Sequence, residues 1–334
     1  MTIDQCRRHR SGAVSLTIVT GLLVAGLVSC ARPRPPTPTP GTTTSVPAGG
    51  GAGRYVKPVF ANIEQIATAT TFRPADPAAG WPKDLKLDAW APAGDTATRR
   101  PAVVWGFPGG FLFGDRSTMA ALAQDSARRG YVGITIDYRL QPFGSPDITS
   151  LPGGYVANRG IIPAYLDTIA AGQWLKANAA RFGIDPDAIV IAGVSAGGFN
   201  AIDAVVLPGG PRPPLPEGWV PPGTSNPAAS PYAAAISNSG TSIGAMTDQN
   251  ASRPGQAPII MFAGTADHLV DYEKWQQRTC DDHRAQGNVC EFVSYPGQGH
   301  GVFAEQADVL ERSAAFVKAQ VLLPRGYPAE AGAE

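Results

Sequence analysis

The chain has 334 residues, of which 43% are hydrophobic, and this is enough for one large domain or two small ones with a sizeable core. The basic and the acidic residues number 27 each, and a formal net charge of zero argues against a surface built to hold nucleic acid or another polyanion. Charged residues make up only 16%, whereas glycine and proline number 39 and 32, which predicts long loop or linker segments.

The N-terminus has the features of an export signal. Three arginines, Arg7, Arg8 and Arg10, precede a mostly apolar run over residues 13–28. This run is shorter than the roughly 20 residues that cross a bilayer comfortably, which favours a signal peptide over an anchor helix. An uncleaved anchor helix stays open as the alternative, and either interpretation exports the residues that follow.

The apolar run ends in Leu27-Val28-Ser29-Cys30, which resembles a bacterial lipobox. In such a motif the chain is cut before the cysteine, which receives a diacylglycerol. We therefore predict a signal peptide over residues 1–29 and a lipidated Cys30 as the first mature residue. Two acyl chains anchor a protein stably, so the predicted location is the cell envelope, on a membrane.

Residues 30–54 are predicted to form an extended tether, because residues 31–53 contain six prolines, five glycines and five threonines with almost no apolar side chain. A catalytic domain is predicted over residues 55–325. Within it, residues 208–231 contain nine prolines and four glycines, which excludes a regular helix or central strand. We expect that insertion to form a small irregular cap.

The remainder alternates short β-rich runs with longer helical ones. The predicted strands cover residues 88–90, 102–105, 132–136, 189–192, 233–237, 259–262 and 291–293. The predicted helices cover residues 119–129, 163–181, 196–206, 270–286 and 305–320. This alternation indicates an α/β fold with a mostly parallel central sheet and helices on both faces.

A nucleophile motif follows one of these strands. Residues 189–192 run into Gly193-Val194-Ser195-Ala196-Gly197-Gly198 and then into a helix, the strand, turn and helix that a G-x-S-x-G elbow requires. Ser195 would then face the cleft. The alternative is a phosphate-binding turn, but no G-x-G-x-x-G pattern or Walker lysine is present.

A serine needs a base, and beyond the predicted signal peptide only three histidines can supply one. His283 is expected on a solvated helix face, and His268 is expected to be a cleft-rim or packing residue. His300 lies in the flexible loop Gly297-Gln298-Gly299-His300-Gly301 after the last predicted strand, so we predict it as the base.

Asp267 is predicted to orient that histidine, because it lies in the loop that follows strand 259–262. Asp271 is the alternative, four residues later and within the predicted helix. The order Ser195, Asp267, His300 along the chain is the order of the α/β-hydrolase triad. Backbone N–H groups of Gly109, Gly110 and Ala196 are predicted to form the oxyanion hole.

These segments resemble the carboxylesterases of the α/β-hydrolase fold, in the branch of hormone-sensitive lipase and the larger carboxylesterases. The residues that carry the resemblance include Val104 to Phe111, Asp137-Tyr138-Arg139-Leu140, Phe182 to Pro186, Gly193 to Gly198, Gly264 to Val270 and His300. Where those families read H-G-G-G, this chain has Phe107-Pro108-Gly109-Gly110. The resemblance implies an α/β-hydrolase fold and ester hydrolysis, with no metal and no cofactor.

Cys280 and Cys290 remain after Cys6 leaves with the signal and Cys30 is lipidated. A pair ten positions apart in an oxidising compartment is expected to form a disulfide, with two buried free thiols as the alternative.

The predicted function is that of an exported serine hydrolase that cleaves small carboxylic esters through an acyl-enzyme, with short to medium acyl chains because the cap is small. The expected partners are a small-molecule ester and a membrane, with no nucleic acid. Two alternatives stay open: a peptidase or amidase on the same fold, and a non-catalytic surface lipoprotein that binds a ligand or partner.

Overall fold

An eight-stranded sheet forms the centre of the molecule in a computed structural model that describes residues 53–77, 82–141, 158–210, 227–301 and 304–328. The strands are β1 Ile63–Arg73, β2 Leu85–Pro92, β3 Arg100–Gly106, β4 Val132–Ile136, β5 Ile184–Val194, β6 Ala234–Asn238, β7 Ile259–Gly264 and β8 Cys290–Tyr295. Their order across the sheet is β1-β2-β4-β3-β5-β6-β7-β8. The six strands from β4 to β8 in that order are parallel, and β2 pairs antiparallel with both β4 and β1.

The helices connect and cover the strands. They are α1 Ala120–Arg128, α2 Asn158–Ala177, α3 Ala179–Phe182, α4 Ala196–Val206, α5 Ile243–Met246, α6 Arg278–Ala285 and α7 Ala307–Val317. Every residue of β4, β6 and β7 is buried, so both faces of the sheet are covered. The predicted α/β architecture with a mostly parallel sheet is therefore confirmed.

The largest difference from the predicted elements is β1, an 11-residue edge strand that the prediction lacks. Its sequence mixes isoleucine, threonine and alanine with charged and amide residues, and most of its side chains are at least partly exposed. It pairs with β2 alone, so it needs no continuous apolar run. The helix predicted from Pro163 begins instead at Asn158, with Pro163 inside it.

The beginning of the described chain packs against the edge of the sheet where the parallel strands start. Tyr55 donates its backbone N–H to Arg129 O at 2.8 Å, and the Tyr131 hydroxyl donates to Tyr55 O at 2.8 Å. The Tyr55 ring also meets the rings of Tyr131 and Tyr327 edge-on, at centroid distances of 5.3 and 5.7 Å. Because Tyr131 directly precedes β4 and Tyr327 lies near the end of the described chain, the two ends of the described chain meet at this edge.

Several of the predicted features lie outside the described residues, namely the signal peptide, Cys30, nearly all of the tether, and residues 211–226 of the cap. The base of the cap insertion is described, and there the backbone N–H of Gly209 donates to Pro227 O at 2.7 Å. The two ends of the insertion are thus held together. Among the described helices, none is both long and apolar enough to cross a bilayer.

A disulfide joins Cys280 of α6 to Cys290 at the start of β8, as the sequence predicts. The solvated position expected for His283 on the same helix is wrong. Its side chain is fully buried, with Nε2 at 3.1 Å from Ala257 O and Nδ1 at 3.2 Å from Ser252 Oγ. Burial lowers the pKa of His283, and the bond to Ala257 opposes that shift. The histidine is therefore a packed core residue on the face of α6 that points inward.

Candidate active site

Ser195 occupies a sharp turn between β5 and α4. Its φ of 53° lies in the left-handed region that residues with a side chain rarely adopt. The turn is held from both sides, because Ser195 N donates to Asn238 O at 2.8 Å and Phe199 N donates to Ser195 O at 2.9 Å. The strained conformation presents the serine at the carboxyl edge of the sheet, between the last residue of a strand and the first turn of a helix.

Two glycines beside Ser195 have no room for a side chain. A Cβ on Gly193 would lie 2.1 Å from the carbonyl carbon of Gly197, and a Cβ on Gly197 would lie 2.0 Å from Gly106 O. Gly106 is the last residue of β3, the strand that leads to Gly109 and Gly110. Close packing therefore fixes the position of the Ser195 turn relative to the start of the predicted oxyanion loop.

His300 joins Ser195 to Asp267. Its Nδ1 lies 2.8 Å from Asp267 Oδ2, and its Nε2 lies 2.7 Å from Ser195 Oγ. An ionised carboxylate only accepts hydrogen bonds, so Nδ1 carries the proton and Nε2 is free to accept from the Ser195 hydroxyl. The structure thus brings together the three residues that the sequence predicts as nucleophile, base and orienting acid, in a geometry that supports those roles.

The Asp267 carboxylate is buried and accepts hydrogen bonds on both oxygens. Oδ1 accepts from the backbone N–H groups of Leu269 and Val270 at 3.0 and 2.9 Å, and Oδ2 accepts from Gln276 Nε2 at 3.0 Å besides His300. Burial alone would raise the pKa of Asp267, but the bond and charge of His300 and the two backbone amides hold this pKa below its ordinary value. Asp267 is therefore kept ionised beside the imidazole.

The other candidates in this loop have different surroundings. The Asp271 carboxylate accepts from Lys274 N at 2.8 Å and caps the π-helical turn Tyr272–Gln277, which favours Asp267 over Asp271 as the orienting acid. His268 is exposed to solvent.

The loop that carries His300 is held by residues that the sequence analysis did not identify. Ser239, at the end of β6, accepts the backbone N–H of Gly301 on its Oγ at 2.9 Å. Thr265 accepts the backbone N–H of Gly297 on its Oγ1 at 2.9 Å. No motif marks these hydroxyls in the sequence, because their partners lie 32 and 62 residues away along the chain. The Gln276 amide lies only nine residues from Asp267, but no motif marks it either.

The predicted oxyanion loop has the backbone conformation that its glycines allow. Gly109 and Gly110 have φ values of 137° and 60°. No backbone hydrogen bond among the described residues uses the N–H of either glycine, and Ala196, as the first residue of α4, has no acceptor within its helix. With respect to the residues that the structure describes, all three predicted donors are thus free to bind an oxyanion.

Phe107 replaces the family histidine and is fixed by Tyr138. The two rings stack at 4.0 Å with planes 9° apart, and the Tyr138 hydroxyl donates to Phe107 O at 2.7 Å. Tyr138 is part of the Asp137-Tyr138-Arg139-Leu140 segment, which gives this segment a structural role beside the loop.

Within the described part of the chain, no three histidine, cysteine or acidic side chains come together to hold a metal ion.

Comparison with known proteins finds similarity to carboxylesterases over part of the chain. A model of the carboxylesterase family matches residues 68–209, a segment that includes Gly109, Gly110, Ser195 and Ala196 but ends before Asp267 and His300. The chain is 34% identical over 126 residues to para-nitrobenzyl esterase of Bacillus subtilis, which is 37% of this chain and 24% of that protein. It is 39% identical over 124 residues to carboxylesterase 1C of Rattus norvegicus, which is 37% of this chain and 21% of that protein. The matches thus span about a quarter or less of these relatives.

Solved structures match over nearly their whole length. A thermophilic esterase of Thermogutta terrifontis is 25% identical, with a TM-score of 0.58, and the match covers 80% of this chain and 95% of that one. The same enzyme, esterase 2, in a structure phosphorylated by paraoxon, is 27% identical, with a TM-score of 0.59, over 81% of this chain and 96% of that one. The matched segment, the sheet order and the strand, turn and helix around Ser195 agree: the chain has an α/β-hydrolase fold, and its residues 68–209 match the carboxylesterase family.

Proposed function

We propose that this protein is an exported serine carboxylesterase, anchored to a membrane of the cell envelope through a lipidated Cys30. The observation that carries the catalytic part is the position of His300, whose two ring nitrogens lie within 2.8 Å of Asp267 Oδ2 and Ser195 Oγ. The relatives named above are esterases, and an esterase of similar fold is phosphorylated by paraoxon. Both facts support acyl transfer at a serine.

The proposed reaction has two halves. Ser195 Oγ bonds to the ester carbonyl carbon while its proton passes to His300 Nε2, and the carbonyl oxygen becomes an oxyanion. The N–H groups of Gly109, Gly110 and Ala196 stabilise that oxyanion, and His300 returns the proton to the leaving alcohol as the ester C–O bond breaks. A water molecule, activated by His300, then attacks the acyl-enzyme and releases the acid and free Ser195.

Labelling with a fluorophosphonate probe tests the catalytic part. The purified protein is treated with the probe, and the adduct is located by peptide mass spectrometry, with His300→Ala and Ser195→Ala as controls. We expect an adduct on Ser195 in the wild type and none in either variant. A wild-type protein that takes no label, although folded, would instead favour a binding protein.

Acyl preference is tested on p-nitrophenyl esters of acetate, butyrate and palmitate, with the matching anilides alongside. We propose short to medium acyl chains, because the cap insertion is short and its two ends are held together by the hydrogen bond from Gly209 to Pro227. The expected order is faster turnover of the C4 than of the C16 ester, and little turnover of anilides. The opposite order of chain length would contradict the proposed preference, and efficient anilide cleavage would favour an amidase.

Anchoring is tested separately in cells that express the full chain. A clickable fatty acid should label the wild type, and the protein should partition into the detergent phase of a two-phase extraction. Cys30→Ser should lose the fatty-acid label, because serine cannot form the thioether. Cys6→Ser is the matched control and should keep both. Equal labelling of the Cys30→Ser variant would refute lipidation at this residue.

A further inference from the structure

Gln276 contacts the Asp267 carboxylate from the π-helical turn Tyr272–Gln277. Its side chain is fully buried. Gln276 Nε2 donates to Asp267 Oδ2 at 3.0 Å and to Val270 O at 2.7 Å. The glutamine therefore bridges the carboxylate and the backbone of the loop that carries it.

The orientation of the Gln276 amide follows from its neighbours. Both contacts are with acceptors, a carboxylate and a carbonyl, so the nitrogen end must face them. Gln276 Oε1 is buried and has no hydrogen-bond partner among the described residues. A methionine would fill similar space without leaving an oxygen unpaired. A buried oxygen without a partner destabilises the folded protein, and this position accepts that loss to keep the two donated bonds. The amide donor therefore has a role beyond packing.

Asp267 Oδ2 accepts from Gln276 Nε2 and from His300 Nδ1, while the backbone amides of Leu269 and Val270 occupy Oδ1. We propose that Gln276 is a positioning residue: it holds the Asp267 carboxylate in the orientation that receives His300 and, by sharing Oδ2, limits how strongly this oxygen attracts the His300 proton. The proposal rests on the catalytic function proposed above. Because the amide is neutral, it does this without adding a charge beside the triad.

The other titratable groups on the surrounding elements are placed differently. His268, Asp271, Glu273 and Lys274, on the loop and turn between Asp267 and Gln276, are exposed, as is Glu305 after the His300 loop. The charged group that acts on the pKa of Asp267 is His300. A change at Gln276 therefore acts on the pair of Asp267 and His300 with little interference from other charges.

The test replaces Gln276 by methionine in the full-length protein, with Gln256→Met as the matched control. Gln256 also donates from Nε2 to a backbone carbonyl, Val206 O at 2.7 Å, but does not contact the triad. For Gln276→Met we expect kcat to fall about 10-fold, the loss that one hydrogen bond to a charged group brings, with KM within about twofold. Since Asp267 Oδ2 then stabilises the protonated imidazole more strongly, the acidic limb of the kcat/KM profile should move about half a pH unit upward.

Gln276→Glu is the second variant, because it keeps the length and polarity of the side chain if methionine prevents folding. A second carboxylate beside Asp267 should move the acidic limb further upward than methionine does. In the resting protein, the downfield NMR resonance of the His300 Nδ1 proton should shift in both Gln276 variants and stay in place in Gln256→Met.

The outcomes separate this proposal from the function on which it rests. If the Gln276 variants fold and keep the wild-type resonance, kcat and pH profile, the role of Gln276 is overturned. The proposed esterase function would stand in that case. A wild-type protein that hydrolyses no ester would overturn the proposed function, while a shifted His300 resonance would still support the contact of Gln276 with the pair.

Discussion

Ser195 and His300 are held in place by different means. Around Ser195, glycines pack against backbone atoms so closely that Gly193 and Gly197 have no space for a Cβ. Around His300, Gly297 and Gly299 have no atom within 4 Å of a Cβ, and hydrogen bonds to Ser239 and Thr265 hold the loop, which approaches closely only at Gly264, where a Cβ would lie 2.2 Å from Gln298 O. The predicted nucleophile is thus positioned by close packing, and the predicted base mainly by directed hydrogen bonds, with one close backbone approach at Gly264.

This difference determines how each region should respond to substitution. Close packing gives an all-or-none response, because a clash with backbone atoms cannot be relieved by moving one side chain. Hydrogen bonds give a graded response, because each lost bond costs about 1 kcal/mol and the remaining ones still hold the loop. The following predictions test this contrast, beginning with the largest expected effect.

Gly197→Ala and Gly299→Ala form a matched pair, one in each region. At Gly197 the new Cβ would lie 2.0 Å from Gly106 O, so we expect a loss of about 3 kcal/mol or more in the free energy of unfolding, and no labelling by a fluorophosphonate. At Gly299 the space is open, and stability and labelling should stay close to wild type. Urea unfolding and the labelling assay measure both. A Gly197→Ala variant that is stable and still takes the label would contradict the idea that close packing positions Ser195.

Ser239→Ala should have an intermediate effect. It removes the acceptor of the Gly301 N–H bond, next to His300, and leaves the rest of the loop in place. We expect kcat to fall about 10-fold and the free energy of unfolding by about 1 kcal/mol. Ester kinetics and urea unfolding are the measurements, with Ser230→Ala, at a loop serine outside the site, as the control. A complete loss of folded protein would show that the loop that carries His300 is as closely packed as the turn that carries Ser195.

Tyr138→Phe examines the oxyanion loop, which combines both means of positioning. The substitution keeps the ring that stacks on Phe107 but removes the hydroxyl that donates to Phe107 O. If stacking alone holds the loop, the rate of fluorophosphonate labelling should stay at the wild-type value. We expect about a threefold lower rate, because the unpaired carbonyl loosens the loop that carries Gly109 and Gly110. A labelling rate equal to that of the wild type would show that the stacked rings hold the loop without this hydrogen bond.

Asp203→Asn has the smallest expected effect on activity but a defined effect on stability. Asp203 is fully buried in α4 and accepts from Ser242 Oγ and Ile243 N, and burial raises its pKa to about 7 against those two bonds. Between about pH 4 and pH 7 the unfolded carboxyl ionises while the folded one keeps its proton, so the free energy of unfolding falls as the pH rises.

In Asp203→Asn this fall should disappear, with activity within about twofold of wild type. Urea unfolding at pH 4.5 and pH 7.5 measures the slope. Asp187→Asn is the control, because the Asp187 side chain is 72% exposed, and this variant should keep the wild-type slope. An unchanged slope in Asp203→Asn would assign the pH dependence to other groups.

The sheet and the triad could be predicted for the same reason, which is that local sequence determines them. Buried parallel strands such as β4 and β7 are continuous apolar runs, and the G-x-S-x-G turn carries its steric requirement in its own glycines. His300 and Asp267 follow from their places after β8 and β7. These features need only the order of elements along the chain.

The features that were missed depend on contacts that no local sequence pattern marks. β1 pairs with β2, and its mixed sequence does not identify it as a strand. His283 looks solvated among charged neighbours, yet one turn of α6 faces Ser252 and Ala257. Gln276, Ser239 and Thr265 are ordinary polar residues until the fold brings their partners within 3.0 Å.

The meeting of Tyr55 and Tyr327 at the amino edge of the sheet has a practical consequence. β3 extends from that edge to Gly106, which pairs with Gly193 beside the Ser195 turn, over seven residues and a length of about 20 Å, so both ends of the described chain lie away from the loops that carry Ser195 and His300. A short linker between residues 328 and 53 would therefore leave those loops intact in a circularly permuted enzyme. For the same reason, a protein immobilised on a solid support through residue 53 or residue 328 would keep its cleft open to the solution.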